Sequence, residues 1–429
     1  MYLCKIYVAF IGHKSNSGVA EFREYHIWTH VNFCVMLFMI ANIKIREREH
    51  DMIYKLQHCD THLITFTATE NSYIPEIDIL WINDKKRELF PLDLKLTSQG
   101  LSNWIKDRII PKDRIYSHNL LSKCGLSHNR PMKIIKASKG LSLTDCYWVV
   151  EENFSGKYEN FTLYDNRFSR VLALIAFTGY GSNVRTSLIS CPEFTTNGML
   201  PKCWRRVDGK IKLFKGGTIG ASNTGNEPYS EFYAAQIAKI LGVDATEYGL
   251  SKWQGVLCST CDLFTSKEYS FVPVGRLVTS GGMKAVAEYY DRLGPEYVTA
   301  LKHMLVFDAV ICNVDRHFGN FGFMVDNRTN TIAAPAPLFD HGNSLFNFMG
   351  RDEQRSDAAL TAYADSLFPC VYDDFIGTAQ EALTPELHEG LRQLTTWKIK
   401  KHSRYNLPQS RLNLIQSQVQ KRAKLILGK

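Results

Sequence analysis

The sequence predicts an α+β chain, with a mixed, β-rich N-terminal region followed by a helical C-terminal lobe. Three observations carry this reading. Stretches alternating polar and apolar residues, at Leu63–Thr67, Ile77–Trp81 and Lys210–Lys215, occur no later than residue 215 of 429. Stretches with apolar residues three and four apart, at 230–242, 296–312 and 412–426, lie beyond them. Between the last two sits a cluster of Asp and Asn, Asn313-Val-Asp315-Arg-His317-Phe-Gly-Asn320 and then Phe339-Asp340-His-Gly342, which is more than caps and turns require. Hydrophobic residues at 45% and charged ones at 22% are globular values, and the length suits two to three subdomains.

At the start of the chain, Phe33–Ala41 is a run of nine apolar residues, too short to span a bilayer, and the charged stretch Lys44–His50 follows it directly. The run starts too late for a signal peptide, and no small-residue cleavage site follows. A strand pattern opens at Met52, so residues 1–51 are expected to be an extension outside the fold; an N-terminal helix packed on the fold is the alternative. Residues 52–189 read as an accessory α+β subdomain that buttresses the catalytic lobe or presents substrate. In it, Ser102–Ile110 is a short helix stopped by Pro111, Asp165–Thr178 is a longer one, and no catalytic constellation is found.

The next unit, 190–275, holds the Lys210–Lys215 strand, a polar Gly-rich connector at 216–226 and a helix ending at Gly242. Tyr233, Ile237, Ile240 and Leu241 form one apolar stripe, Ser230 is the expected N-cap, and Gly242 suits the C′ position. Lys212 and Lys215 fall on opposite faces of a two-residue repeat, so only one of them points into a cleft. Lys215, ending the strand beside Gly216-Gly217, is the expected one, and Glu231 in the first turn of the helix either serves the helix dipole or pairs with it. Cys258-x-x-Cys261 lies in an apolar strand pattern. Without a second pair it reads as core thiols rather than zinc ligands, and the eleven cysteines are expected to be reduced and cytoplasmic.

The last unit, 276–429, is the helical lobe. The helix Glu296–Cys312 runs directly into Asn313–Asn320; Phe321–Val325 and Thr331–Ala334 then form a hairpin that delivers Asp340 to the other side of the same cleft. From Trp397 onward there are nine Lys and Arg and no acidic residue, so the tail carries +9 and the rest of the chain −1. The basic C-terminal helix, with its apolar stripe Leu412, Ile415, Val419 and Ile426, is read either as a docked helix with a solvated face or as the contact for an anionic partner such as nucleic acid or an acidic protein.

The spacing around Asp315 has a chemical reading. Moving a γ-phosphoryl group needs one carboxylate to receive the hydroxyl proton, a carboxylate and an amide oxygen to hold Mg²⁺, and a cation held on the phosphates by a second carboxylate. Asp315, Asn320 five residues on, Asp340 twenty-five on, and the Lys215–Glu231 pair supply that set. Arg316 and His317 are read as structural supports of the loop.

On these residues the chain resembles the HipA-type serine/threonine kinases, the kinase toxins of bacterial toxin–antitoxin pairs, over about its last 240 residues. The resemblance implies a two-lobed, protein-kinase-like fold, with 190–275 as the nucleotide-binding lobe. It further implies ATP and Mg²⁺ as cofactors, Asp315 as base, Asn320 and Asp340 as metal ligands, and Lys215 as the phosphate-binding lysine. Asn197 and Gly198, in Glu193–Pro201, match the phosphate-binding loop, although that stretch departs from the family's small-residue pattern. Cys261-Asp-Leu263-Phe264 would be the hinge that contacts adenine. A protein acceptor bearing Ser or Thr and a separate antitoxin are the implied partners. The same motif order resembles the phosphatidylinositol kinases, so a lipid or small-molecule acceptor, or a non-catalytic ATP-binding module, stands as the alternative.

Overall fold

A computed structural model of the chain describes residues 51–184, 191–220 and 223–429, and residues 52–429 make one continuous unit. The expected extension 1–51, with its Phe33–Ala41 run, lies outside the described residues except for Asp51.

The accessory region is an antiparallel sheet of order β3-β2-β1-β4, built from β1 (Asp51–His58), β2 (Thr61–Thr69), β3 (Ile77–Ile82) and β4 (Tyr147–Glu151). Helices α1 (Ser98–Lys106), α2 (Ser117–Lys123) and α3 (Pro131–Ser138) lie between β3 and β4, and α4 (Arg170–Thr178) follows. Alternation along β2 buries Ile64, Phe66 and Ala68 in one cluster with Leu56 of β1 and Leu101 and Ile105 of α1. The helix expected at 102–110 starts and ends earlier. Thr97 caps it by accepting from the Gly100 N–H at 3.0 Å, and Arg108 leaves helical register to bond Asp145 and the Gly140 and Tyr147 carbonyls at 2.7–2.9 Å.

A second antiparallel sheet has the order β5-β6-β8-β7, from β5 (Lys202–Val207), β6 (Lys210–Gly216), β7 (Gly249–Trp253) and β8 (Val256–Asp262). Helix α5 (Glu227–Leu241) packs on it and ends at Gly242 with φ 67°. Ser230 is not its N-cap. Pro228 presets φ for the first turn and the helix begins at Glu227, so Ser230 lies inside it and its hydroxyl donates to the Ser344 carbonyl at 2.8 Å.

The chain then enters a sheet of order β11-β10-β9, from β9 (Tyr269–Pro273), β10 (Gly322–Asp326) and β11 (Thr331–Pro335). Helices α6 (Val274–Leu277), α7 (Gly282–Leu293) and α8 (Pro295–Ile311) separate β9 from β10, and α9 (Asp357–Asp365), α10 (Phe375–Glu381), α11 (Pro385–Leu394) and α12 (Gln409–Ile426) complete the lobe. Helix α8 is apolar nearly all round because it is the lobe's central helix, packed by α5, α7, α10 and α12. The stripe Leu412, Ile415, Val419 and Ile426 of α12 is buried in that core. Two of the tail's nine basic residues are buried as well: Arg411 bonds the Phe346 and Asn347 carbonyls and Arg422 the Ala309 carbonyl. These two charges dock the helix, and any anionic contact falls to the exposed lysines and arginine around them. No described helix is long and apolar enough to cross a membrane.

Candidate active site

The central helix ends at Cys312, whose left-handed backbone (φ 52°) turns the chain into the Asn313–Asn320 loop. Beneath this loop a buried ion cluster sets its shape. Asp308, a charged residue in the apolar α8, receives Nε and Nη2 of Arg316 at 2.9 and 3.0 Å and Asn313 Nδ2 at 3.0 Å. Arg316 Nη1 donates to the carbonyls of Asn320 (3.1 Å) and Phe339 (2.6 Å), joining the loop to the segment after β11 that carries Asp340. Its Nη2 also donates to His341 Nδ1 at 3.0 Å. Arginine can only donate, so the imidazole proton belongs on Nε2. Burial and the neighbouring Arg316 hold His341 neutral, well below the usual histidine range. His317 accepts the Gly319 N–H at 3.1 Å on Nδ1 and braces the loop tip.

On the opposite wall, Lys215 of β6 points inward, while Lys212, three residues earlier, lies on the other face and pairs with Asp262. Lys215 Nζ donates to Glu231 Oε1 at 2.6 Å and to Asp340 Oδ1 at 2.5 Å. Lys215 and Glu231 are buried, Asp340 is partly open, and the Ser259 hydroxyl completes the shell of Glu231. Burial would depress Lys215, but Asp340 and Glu231 outweigh it and raise the lysine above its ordinary range. Burial raises Glu231, with Lys215 pulling the other way. Burial would raise Asp340 too, but Lys215 and Lys202 keep it well below the usual carboxylate range. Asp340 is therefore an anion, held in a left-handed backbone (φ 58°) with its N–H on the Tyr248 hydroxyl at 3.1 Å.

Asn320 Nδ2 donates to the Asp315 carbonyl at 3.3 Å, and its amide oxygen carries no protein hydrogen bond among the described residues. The Asp315 carboxylate accepts from Asn343 Nδ2 at 2.8 Å.

A cavity of about 610 Å³, walled by residues of all three sheets, opens beside these groups; Asp315, Asn343 and Glu231 are not among its lining residues. Lys215, Asn320, Asp340 and His317 line it, and so do Asn197 and Gly198 of the predicted phosphate loop. Cys261 and Leu263 line it too, but with side chains. The Leu263 N–H is taken by the Ile211 carbonyl at 2.9 Å, and Cys261 pairs with Leu213, so strand alternation leaves the main-chain groups of Asp262 and Phe264 to face away from β6. Cys258 and Cys261 are buried free thiols in β8.

Several participants escaped sequence reading. Lys202, paired across β5–β6 with Lys215, is buried at the cavity wall with Nζ on the Asn197 carbonyl at 3.0 Å. Burial, then the adjacent Lys215, lowers it to about 7. Nothing in a strand-initial lysine announces this. Asp308 had a signal, a charge within the apolar stretch Met304–Ile311; Asn343 and His341 had only their nearness to Asp340. The accessory subdomain, without a constellation of its own in sequence, supplies part of the cavity wall through Asp93, Arg108 and Asp145.

No protein-family model and no curated protein matches the chain. Among solved structures, the chain is similar to HipA of Shewanella oneidensis MR-1, from its toxin–antitoxin complex with HipB and operator DNA. The TM-score is 0.51 and the identity 15%, over 87% of this chain and 97% of that one. The Helicobacter pylori proinflammatory kinase CtkA matches at TM-score 0.44 and 15% identity, over 54% of this chain and 91% of its own. At this identity the likeness to HipA is one of fold: the chain has a mixed α+β, HipA-like kinase fold.

Proposed function

We propose that the chain is an ATP-dependent kinase that phosphorylates a Ser or Thr hydroxyl of a protein. One observation carries the reading: Lys215 bonds Glu231 and Asp340 together at the wall of a cavity that Asn320 also lines, with Asp315 on the same loop as Asn320. Asp315 takes the hydroxyl proton as the hydroxyl oxygen bonds the γ-phosphorus and ADP leaves with the electron pair of the broken P–O bond. Lys215, oriented by Glu231, holds the phosphates, with Lys202 beside it. The Asn197-Gly198 main chain lies on the phosphate side, and the main-chain groups of Asp262 and Phe264, rather than those of Cys261 and Leu263, face the base.

A low-lying carboxylate and a free amide oxygen are hard oxygen donors, few in number, and suit an ion that keeps phosphate and water for its remaining positions. Asp340 and Asn320 would hold Mg²⁺, which when bound neutralises charge on the β- and γ-phosphates.

Free buried thiols suit a reducing cytoplasm. The HipA-like fold supports a separate antitoxin protein as partner. The test is the purified full chain with Mg²⁺ and γ-labelled ATP, offered protein, lipid and small-molecule acceptors in parallel. Label on Ser or Thr of protein supports the reading, label on lipid or small molecule alone moves the acceptor, and no label anywhere rejects catalysis.

A further inference from the structure

The proposed base has a partner that phosphoryl-transfer chemistry does not itself demand. Asn343 Nδ2 donates to Asp315 Oδ2 at 2.8 Å. The orientation of that amide is set by its surroundings: Asn343 Oδ1 accepts from Asn347 Nδ2 at 3.3 Å, so the donor end faces Asp315. Asn343 also grips the loop by its main chain, since its carbonyl accepts the Val314 N–H at 3.1 Å. Asn347 is in turn buried, and its carbonyl accepts from Arg411 Nη2 of α12 at 2.8 Å and from Asn226 Nδ2, just before α5, at 2.9 Å. A chain of amides thus runs from two helices to one oxygen of Asp315. It is carried on the segment that begins with the metal-ligand candidate Asp340, three residues before Asn343.

We infer that Asn343 is a positioning residue for phosphoryl transfer. It occupies one carboxylate oxygen, Oδ2, fixes the rotation of the carboxylate about its last bond, and leaves Oδ1 to receive the acceptor's proton. The inference rests on Asp315 being the base. A neutral donor suits this role, because an ammonium or guanidinium there would compete with the acceptor hydroxyl for the base's charge, and a carboxylate would repel it. Near-attack geometry is steep in its effect on rate, so loosening one oxygen should lower turnover while leaving nucleotide binding alone.

An amide that only braced the loop would do so equally well with Ala at 315, and this distinction sets the experiment. Wild type, Asn343→Ala, Asp315→Ala and the double variant are assayed as full chains with Mg²⁺, γ-labelled ATP and dephosphorylated casein as the Ser/Thr acceptor, with autophosphorylation followed in the same lanes. The expected result is a fall in kcat of about tenfold for Asn343→Ala, the worth of one hydrogen bond to a charged group, with KM for ATP unchanged. In the Asp315→Ala background the second substitution should then cost nothing. Asn343→Ser, uncharged and too short to reach Oδ2, guards against a folding artefact; its melting temperature should stay near wild type while kcat falls about as far as in Asn343→Ala. An equal loss in both backgrounds, a raised KM in place of a lowered kcat, or full activity of Asn343→Ala overturns the inference and leaves the kinase reading standing. No transfer by wild type to casein, to itself or to the lipid and small-molecule acceptors offered above overturns the kinase reading, and this inference with it.

Discussion

Beneath the Asn313–Asn320 loop, Asp308 and Arg316 close on one another, with only Nε2 of the adjacent His341 left without a partner among the described residues; at the cavity wall, Lys215 and Lys202 leave donors free beside Glu231 and Asp340. All five N–H groups of Arg316 have acceptors within the protein: two on Asp308, one on His341, and the carbonyls of Asn320 and Phe339. Lys215 uses two of its three donors on side chains, and Lys202 uses one, on a carbonyl, among the described residues. Both clusters hold buried charges, Asp340 alone being partly open, so desolvation costs are similar in kind, and the difference lies in what remains unspent. A closed cluster can only hold shape. The open one has donors facing a cavity and a lysine whose charge is suppressed, which is the condition of a site awaiting an anionic ligand.

The comparison breaks most visibly in stability. Asp308→Ala strands Arg316 without its counter-charge in the core and should cost about 3–5 kcal/mol, seen as a large drop in thermal midpoint together with loss of activity through unfolding. If Asp308→Ala melts like wild type, the cluster is not structural.

Lys215→Met should cost less stability, because the stranded Glu231 can take up a proton where Arg316 cannot lose one, while phosphoryl transfer falls about 10²–10³-fold, as when one electrostatic donor is removed from a reacting site. Steady-state rates with circular dichroism on the same samples decide it.

Lys202→Met sharpens the contrast by its sign. The folded-state value of Lys202 is about 7 against an ordinary 10.5, so between those pH values the unfolded chain holds a proton that the folded chain has lost. Stability from this group therefore rises with pH from about 7 to 10.5, and its cost is full below 7. Removing the charge should stabilise the nucleotide-free protein at neutral pH, by on the order of a few kcal/mol at most, and so raise its midpoint, flatten that pH dependence, and weaken ATP binding. A lowered midpoint with unchanged ATP affinity would place Lys202 among the structural charges.

Smallest is Lys212→Met, which loses a partly solvated pair with Asp262 on the outer face of the same strand. A change of about 0–1 kcal/mol and near-normal transfer are expected. A loss matching that of Lys215→Met would show that the strand presents its other face.

The sequence made the central helix, the β10–β11 hairpin, the Lys210–Gly216 strand and the buried stripe of α12 legible, because each is periodic over enough residues to declare its face. Local capping chemistry was less legible: Ser230 looked like a cap, but Pro228 moved the helix start past it, and Thr97 started α1 earlier than its apolar pattern. Within the site, the residues that could be read were those with a signal along the chain: Asp315, Asn320 and Asp340 by their intervals, Lys215 by its strand face and Glu231 by its place in the first turn of a helix. Lys202, Asp308 and Asn343 are positioned by strand register, helix burial and a folded-back segment, contacts that a one-dimensional pattern does not contain. The hinge shows the limit most clearly, since Cys261 and Leu263 line the cavity but only alternation against β6 reveals which main-chain groups are free.

The central claim is that Asp315 accepts the proton in phosphoryl transfer. Its most direct test is the rate of transfer from γ-labelled ATP by Asp315→Ala beside wild type, with ATP affinity and thermal midpoint measured on the same preparations. The expected result is a loss of about 10²–10⁴-fold in rate with both other quantities unchanged; a near-wild-type rate from a folded, ATP-binding Asp315→Ala protein would contradict it.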